Sequence, residues 1–259
     1  MAKTKKNKSI KLLIVGDACE DVYVYGHCNR LAPEAPVPVF VADREKRSGG
    51  MALNVEANLS SLGADCTILH NQKKIEKTRY VEESTNHLFI RIDSDESDIK
   101  RINKKYLTKK YLSQYDAVVI SDYNKGFLTE EDIETICYRH PLTFMDTKKS
   151  LGRWCKDCKW IKINENELDA TKDHIKGLDH IFDEKLIVTL GEKGCCYNGM
   201  VYSVDKVEIK DLSGAGDTFL SGFVYQYLKD KDVEEAIKFA NKCATIVVQQ
   251  KGVNVVNGL

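Results

Sequence analysis

Asp211-Leu212-Ser213-Gly214-Ala215-Gly216-Asp217-Thr218 is the stretch on which the reading of the fold turns. It follows a strand-like run, Val207-Glu208-Ile209, and opens an amphipathic helical pattern from Ala215 to Leu228. Gly214, Ala215 and Gly216 carry almost no side chain, so their backbone N–H groups can approach an anion. A helix N-terminus adds about half a positive charge at the same spot. Asp217 falls in the first turn, beside that anion hole. Such an arrangement can stabilise charge on a transferring phosphoryl group while a carboxylate accepts a hydroxyl proton. The plainer alternative is a glycine-rich helix start whose aspartate answers the helix dipole. Two rival phosphate loops are excluded. GxxxxGK[ST] does not occur, and the sixth position counted from Gly214 is Phe219 rather than glycine.

Outward from that loop, apolar runs alternate with helical patterns, the mark of a mostly parallel sheet with crossover helices. Leu12 to Val15 reads as a buried strand ending at Gly16-Asp17. Residues Gly50 to Leu62 read as a helix with Leu53, Ala57 and Leu62 on its apolar side and Gly63 as its cap. Further strands are expected at Thr67–Leu69, Ala117–Ile120, Thr143–Asp146, Trp160–Ile163 and Leu186–Leu190. Thr129 caps a helix reaching about Tyr138, with Glu130, Glu131 and Asp132 in its first turn. Asn198-Gly199 predicts a type I′ hairpin, and a last helix runs from Val233 to Gln250. Two inserts break the rhythm. Asp21 to Val41 and Lys77 to Asp93 read as extended strands outside the main sheet, forming a small antiparallel flap.

Composition bounds the function. The 259 residues balance 39 basic against 39 acidic side chains, which disfavours a nucleic-acid binder reliant on phosphate attraction. No apolar stretch approaches the roughly 20 residues that span a bilayer, so no membrane partner is expected. Residues 1–9 read as a disordered basic tail without a secretory core, with targeting as the alternative; 10–259 read as a single domain. The nine cysteines are scattered, which suits reduced thiols in the cytoplasm. Cys155-Lys156-Asp157-Cys158 has zinc-like spacing but lacks a second pair, so an exposed loop between Trp154 and Trp160 is the preferred reading.

The Asp211–Asp217 segment closely resembles a signature of the PfkB, or ribokinase-like, carbohydrate kinases, Asp-Thr-x-Gly-Ala-Gly-Asp. Other marks follow in order: Gly49-Gly50 with Asn54, Asn164 with Glu167, and Thr189-Leu190-Gly191 with Gly194. A narrower resemblance is to the kinase domain of bacterial D-glycero-D-manno-heptose 7-phosphate kinases. It rests on Gly16-Asp17 with Asp21, Arg30-Leu31-Ala32-Pro33-Glu34-Ala35-Pro36-Val37-Pro38-Val39, Lys77-Thr78-Arg79 and Arg91-Ile92-Asp93. Ser121-Asp122-Tyr123, Lys125-Gly126 and Asp146 with Lys148 add to it.

The resemblance implies an α/β fold: a ribokinase-like three-layer sandwich with a β-strand lid from about 18–45 and 77–93. It implies ATP and Mg²⁺ as cofactors and a sugar or sugar phosphate as substrate. Asp217 would be the base, with Gly214, Ala215 and Gly216 as the anion hole. Asn164 and Glu167 would order Mg²⁺. Thr189, Gly191, Gly194, Asp211 and Asn241 would serve the nucleotide. Asp21, Gly50 and Asn54 would hold sugar hydroxyls with Asp17 close by, and Arg79, Lys125 and Lys148 would grip a phosphate already on the sugar. The flap would exclude water, and pairing of its free edges predicts a homodimer.

Two departures bear on substrate. Leu212 stands where the signature has threonine, and the segment between His70 and Lys77 is much shorter than the family's, reducing the sugar-side wall. No nucleotidyltransferase segment follows Lys251-Gly252 in this sequence, so adenylyl transfer would fall to another protein. The leading expectation is phosphorylation of a heptose 7-phosphate at its anomeric hydroxyl. The alternatives are a PfkB kinase for another sugar or nucleoside, an inactive sugar- or nucleotide-binding regulator, and an architectural role for the flap.

Overall fold

The computed structural model describes residues 9–257, so the expected tail at 1–9 lies almost wholly outside the described residues. The first strand, β1 (Lys11–Gly16), passes through Asp17 into β2 (Ala18–Leu31), which turns back as β3 (Pro38–Met51) and feeds α1 (Ala52–Ser61). Next come β4 (Asp65–His70), β5 (Glu76–Glu82), β6 (Leu88–Asp93) and the single turn α2 (Lys109–Leu112). β7 (Ala117–Asp122), α3 (Glu130–Arg139), β8 (Thr143–Thr147), β9 (Trp160–Asn164), α4 (Glu165–Thr171) and α5 (Asp179–Phe182) continue the alternation. β10 (Leu186–Thr189), the hairpin β11 (Cys195–Tyr197) and β12 (Met200–Tyr202), then α6 (Ala215–Asp230) and α7 (Val233–Val247) complete it.

Eight strands form one sheet in the order β12-β11-β10-β9-β8-β7-β1-β4. It is parallel from β10 to β4, with β11 and β12 antiparallel at one edge. Its strands are apolar without alternation because both faces are covered. Leu13, Val15, Val118 and Ile120 pack towards α3, while Leu12, Ile14, Val119 and Phe144 pack towards α1, α6 and α7. This is the three-layer arrangement that the sequence predicts.

The remaining strands form the lid, ordered β3-β2-β5-β6. The lid is mixed rather than antiparallel, because β2 and β5 pair in parallel. The lid strands also reach further than residue 45: β3 continues to Met51, so the lid is covalently continuous with α1. The short segment after His70 is a tight crossing from core to lid. Asn71 Oδ1 accepts from the Ala18 amide at 2.7 Å, and its Nδ2 donates to Lys73 O at 2.7 Å. The lid is closed on the body. Lys46 Nζ donates to Asn254 Oδ1 at 3.0 Å, Lys251 Nζ to Glu83 O at 2.8 Å and Asn86 Nδ2 to Lys210 O at 2.7 Å.

Other expectations are revised. Val207–Ile209 is irregular rather than a strand. On α1 the buried side is Ala52, Val55 and Leu59, with Asn54 and Asn58, rather than Leu53, Ala57 and Leu62. Cys155 and Cys158 are buried, not in an exposed loop, because their thiols complete the core beneath α3. They donate to Gly152 O at 3.0 Å and to Trp160 O at 3.2 Å. Among the described residues no cluster of histidine, cysteine or acidic side chains is disposed to hold a metal. No helix there is long and apolar enough to cross a membrane.

Candidate active site

The decisive turn lies between two cavities at the carboxyl ends of the parallel strands, where open α/β sheets carry their ligands. Gly214 is the N-cap of α6, at φ +80° and ψ −1°, a left-handed conformation that favours glycine. A side chain there would also strike Asn54, whose Nδ2 lies 2.5 Å from the position of an added Cβ. Ala215 lines a cavity of 240 Å³ with Gly191, Val204, Ile209, Leu212, Ala244 and Val248. Gly214 and Asp217 line a second cavity of 180 Å³ under the lid.

The second cavity gathers Asp21, Gly50, Asn54 and Arg79, as expected, together with Asp217. Asn54 Nδ2 donates to Asp217 Oδ2 at 3.1 Å. Arg79 Nη1 lies 2.5 Å from Asp21 Oδ1. Gly50 has no room for a side chain: an added Cβ would sit 2.1 Å from Asp21 Oδ2. Sequence reasoning missed Lys77 and Arg91 as lining residues. Their signal was legible. Alternation puts Lys77 and Arg79 on one face of β5, and Arg91 is the cross-strand partner of Arg79. Tyr123 was missed as well; its hydroxyl donates to Asp217 Oδ1 at 2.7 Å.

Three expected residues do not line this cavity. Asp17 is fully buried beneath it and accepts the backbone N–H groups of Tyr123 at 2.8 Å, Lys125 at 3.1 Å and Phe127 at 3.3 Å. Lys125 turns away to pair with Glu96, and Lys148 pairs with Glu167. On the nucleotide side only Gly191 of the five expected residues lines the apolar cavity. Thr189 Oγ1 donates to Ile163 O at 3.3 Å, and Asn241 Nδ2 to Tyr202 O at 2.9 Å. Gly194 packs against the Tyr202 carbonyl. Asp211 staples two loops, accepting the Ser213 amide at 2.8 Å and the Gly252 amide at 3.1 Å.

Asn164 and Glu167 form a capping box at the start of α4: Glu167 N donates to Asn164 Oδ1 at 2.9 Å and Asn164 N to Glu167 Oε2 at 2.8 Å. Their hard donors fit Mg²⁺, which binds through one or two carboxylates and keeps several waters. Beneath the glycine turn lies a pair that sequence reasoning did not single out. Lys162 Nζ is 2.5 Å from Asp146 Oδ2 and 2.9 Å from where a Cβ on Gly216 would sit. Asp146 Oδ1 is buried with no hydrogen-bond partner among the described residues.

Burial, aided by the nearby Asp146 carboxylate, raises Asp217 to about 6; Tyr123, Asn54 and Lys162 pull the other way. A group acting as a base must be ionised, so turnover that depends on Asp217 should rise through pH 6 and level off above it. A pH profile of kcat checks this, and a flat profile from pH 5 to 8 counts against it.

A glycine-rich helix start, a buried carboxylate and a cation-lined cavity thus meet at one place, chemistry compatible with phosphoryl transfer. Residues 70–257 match the model of the pfkB family of carbohydrate kinases, and the chain belongs to that family. The chain is similar to the bifunctional protein HldE of a Nitratiruptor species, at 29% identity over 93% of this chain and 62% of that protein. HldE of Helicobacter pylori is also 29% identical, over 93% and 63% of the two chains. The chain thus spans less than two thirds of the length of these relatives. In structure it resembles ribokinase from Thermotoga maritima, with a TM-score of 0.69, 16% identity and 94% of each chain covered. The Arabidopsis thaliana ribokinase complexed with ribose and ATP gives 0.67, at 15% identity over 95% and 94% of the chains.

Proposed function

We propose that this carbohydrate kinase transfers the terminal phosphoryl group of ATP to a hydroxyl of a phosphorylated sugar, with a heptose 7-phosphate, accepting at its anomeric hydroxyl, as the leading substrate. The observation that carries the reading is the glycine turn bordering both cavities: Ala215 faces the apolar one, while Gly214 and Asp217 face the cation-lined one. The apolar cavity suits a nucleobase, and the turn stands between it and the sugar. Asp217 takes the proton of the attacking hydroxyl as its oxygen bonds to phosphorus and the bond to the departing nucleoside diphosphate breaks. The N–H groups of residues 214–216 face the charge that develops on the phosphoryl oxygens, and Lys162 adds its own from below. Asn164 and Glu167 would hold Mg²⁺, which supplies further neutralisation of phosphate charge.

The preference for a phosphorylated sugar rests on Lys77, Arg79 and Arg91 around one small cavity. Arg91→Ala should raise KM for a heptose 7-phosphate about tenfold or more while leaving KM for ATP unchanged, given the strength of charge-assisted contacts. Measuring ADP release with phosphorylated and unphosphorylated sugars tests this. Faster turnover of the unphosphorylated sugar would favour the alternative of a different sugar or nucleoside acceptor. On β6, Leu88, Ile90 and Ile92 are about half exposed at the lid's edge, which supports a homodimer through the lid strands, testable by light scattering. A cytoplasmic location is the setting in which nine free thiols remain reduced.

A further inference from the structure

The loop after β7 delivers one side chain to Asp217 and is itself held from below. Asp17 accepts three successive alternate amides, those of Tyr123, Lys125 and Phe127, so the path of the loop is fixed by one buried carboxylate. From this loop Tyr123 projects to Asp217 Oδ1 at 2.7 Å, while Asn54 holds Oδ2 at 3.1 Å from the opposite side. The Tyr123 ring also carries the Lys148 ammonium 5.2 Å from its centroid, and Lys148 pairs with Glu167. One aromatic side chain therefore touches both the carboxylate at the turn and the lysine that closes on the Asn164–Glu167 pair.

We propose that Tyr123 is a positioning residue for the reaction: its hydroxyl fixes the orientation of the Asp217 carboxylate and keeps it ionised in a buried site, and Asp17 keeps Tyr123 in place. The inference rests on the reading of Asp217 as the base. The groups that face Asp217 are Asn54 from α1, Cys19 from β2, Asp146 and Lys148 from β8 and the residue after it, Lys162 from β9, and Tyr123, with Asp21, Lys77, Arg79 and Arg91 of the lid lining the same cavity. Asp146 opposes ionisation of Asp217, whereas Tyr123, Asn54 and Lys162 favour it. Tyr123 remains a donor throughout, since burial and the Asp217 charge raise its phenol well above its ordinary value. Removing the hydroxyl therefore leaves Asp146 less opposed and raises the pH at which Asp217 ionises.

The test is Tyr123→Phe, which deletes one oxygen and keeps the ring under Lys148. With ATP and a heptose 7-phosphate, kcat at pH 7 should fall about 10- to 100-fold, the worth of a hydrogen bond to a charged group. KM for ATP should stay unchanged. The acidic limb of the kcat profile should move up by about two pH units, which gives about tenfold of the loss at pH 7, and that part is recovered near pH 9. A purely structural role would lower kcat equally at every pH. A readout independent of substrate is the carboxyl ¹³C titration of Asp217, assigned by its loss in Asp217→Asn, which should shift upward in Tyr123→Phe. Asp17→Asn, with one acceptor oxygen in place of two, should shift it in the same direction. An unmoved titration, or a Tyr123→Phe enzyme that turns over faster than wild type because the hydroxyl merely occupied the sugar's place, overturns the proposal. If wild type itself shows no limb near pH 6, or Asp217→Asn remains active, the base assignment fails instead.

Discussion

Asp217→Asn is expected to lower kcat by about 100- to 10,000-fold, the usual contribution of a positioned general base, without unfolding the protein. The side chain keeps its size: its one oxygen can still accept from Asn54 Nδ2, while its new NH2 group can donate to the Tyr123 hydroxyl. Stability should move the other way. The Asp217 carboxyl is raised in the folded protein to about 6 from 3.8, so between those values the native state binds the extra proton. The stability from that proton is present at low pH and is lost as pH rises through about 6. Asparagine carries no such charge. The variant's Tm at pH 8 should therefore equal or exceed that of wild type while turnover collapses. Circular dichroism with an ADP-release assay measures both, and a folded variant with wild-type turnover would sink the kinase mechanism.

Lys162→Met should produce the largest loss of stability. Lys162 and Asp146 are buried together, and Asp146 Oδ1 already lacks a partner among the described residues. Deleting the ammonium strands a buried carboxylate. The cost of breaking such a pair is about 3–5 kcal/mol, or a fall in Tm of roughly 6–20 °C for a chain of this size. Asp146→Asn combined with Lys162→Met should recover most of that loss, since no charge is then left unpaired. Turnover should not return, because the double variant still lacks a cation beneath the glycine turn. Scanning calorimetry and kcat together separate the two roles. Equal Tm for the single and double variants would show that the pair contributes no coupled stability.

Both predictions involve residues of unequal legibility. Asp217 was visible because its cue is local: small residues, then an acid, at the start of a helical period. Lys162 was hidden in an apolar run, Trp160 to Ile163, that reads as ordinary buried strand. Tyr123 was hidden in a loop with no period at all. The distance along the chain explains the difference. Tyr123 lies 94 residues from Asp217, and Asn54 lies 163 residues from it. Lys125 and Lys148 show the converse error. Both are basic and close to the right strands, yet each is taken up by its own carboxylate partner. Lys77 and Arg91 have carboxylate partners too, Glu96 at 3.7 Å and Asp93 at 2.7 Å, but the pleat of the lid strands aims them into the cavity.

By itself the sequence determined the layers of the main sheet, the helix cap at Thr129, the Asn198-Gly199 hairpin and the glycine turn, because each is encoded within a few residues. Tertiary structure decided the rest. The parallel pairing of β2 with β5 turned two expected inserts into one mixed sheet, and the closing of that sheet brought three cations over Asp217. Asp17 became a support for Tyr123 rather than a wall of the sugar cavity. The physical reason is that a propensity or a period acts through neighbours along the chain, whereas ion pairs, buried hydrogen bonds and strand partners form only after distant segments have been packed together.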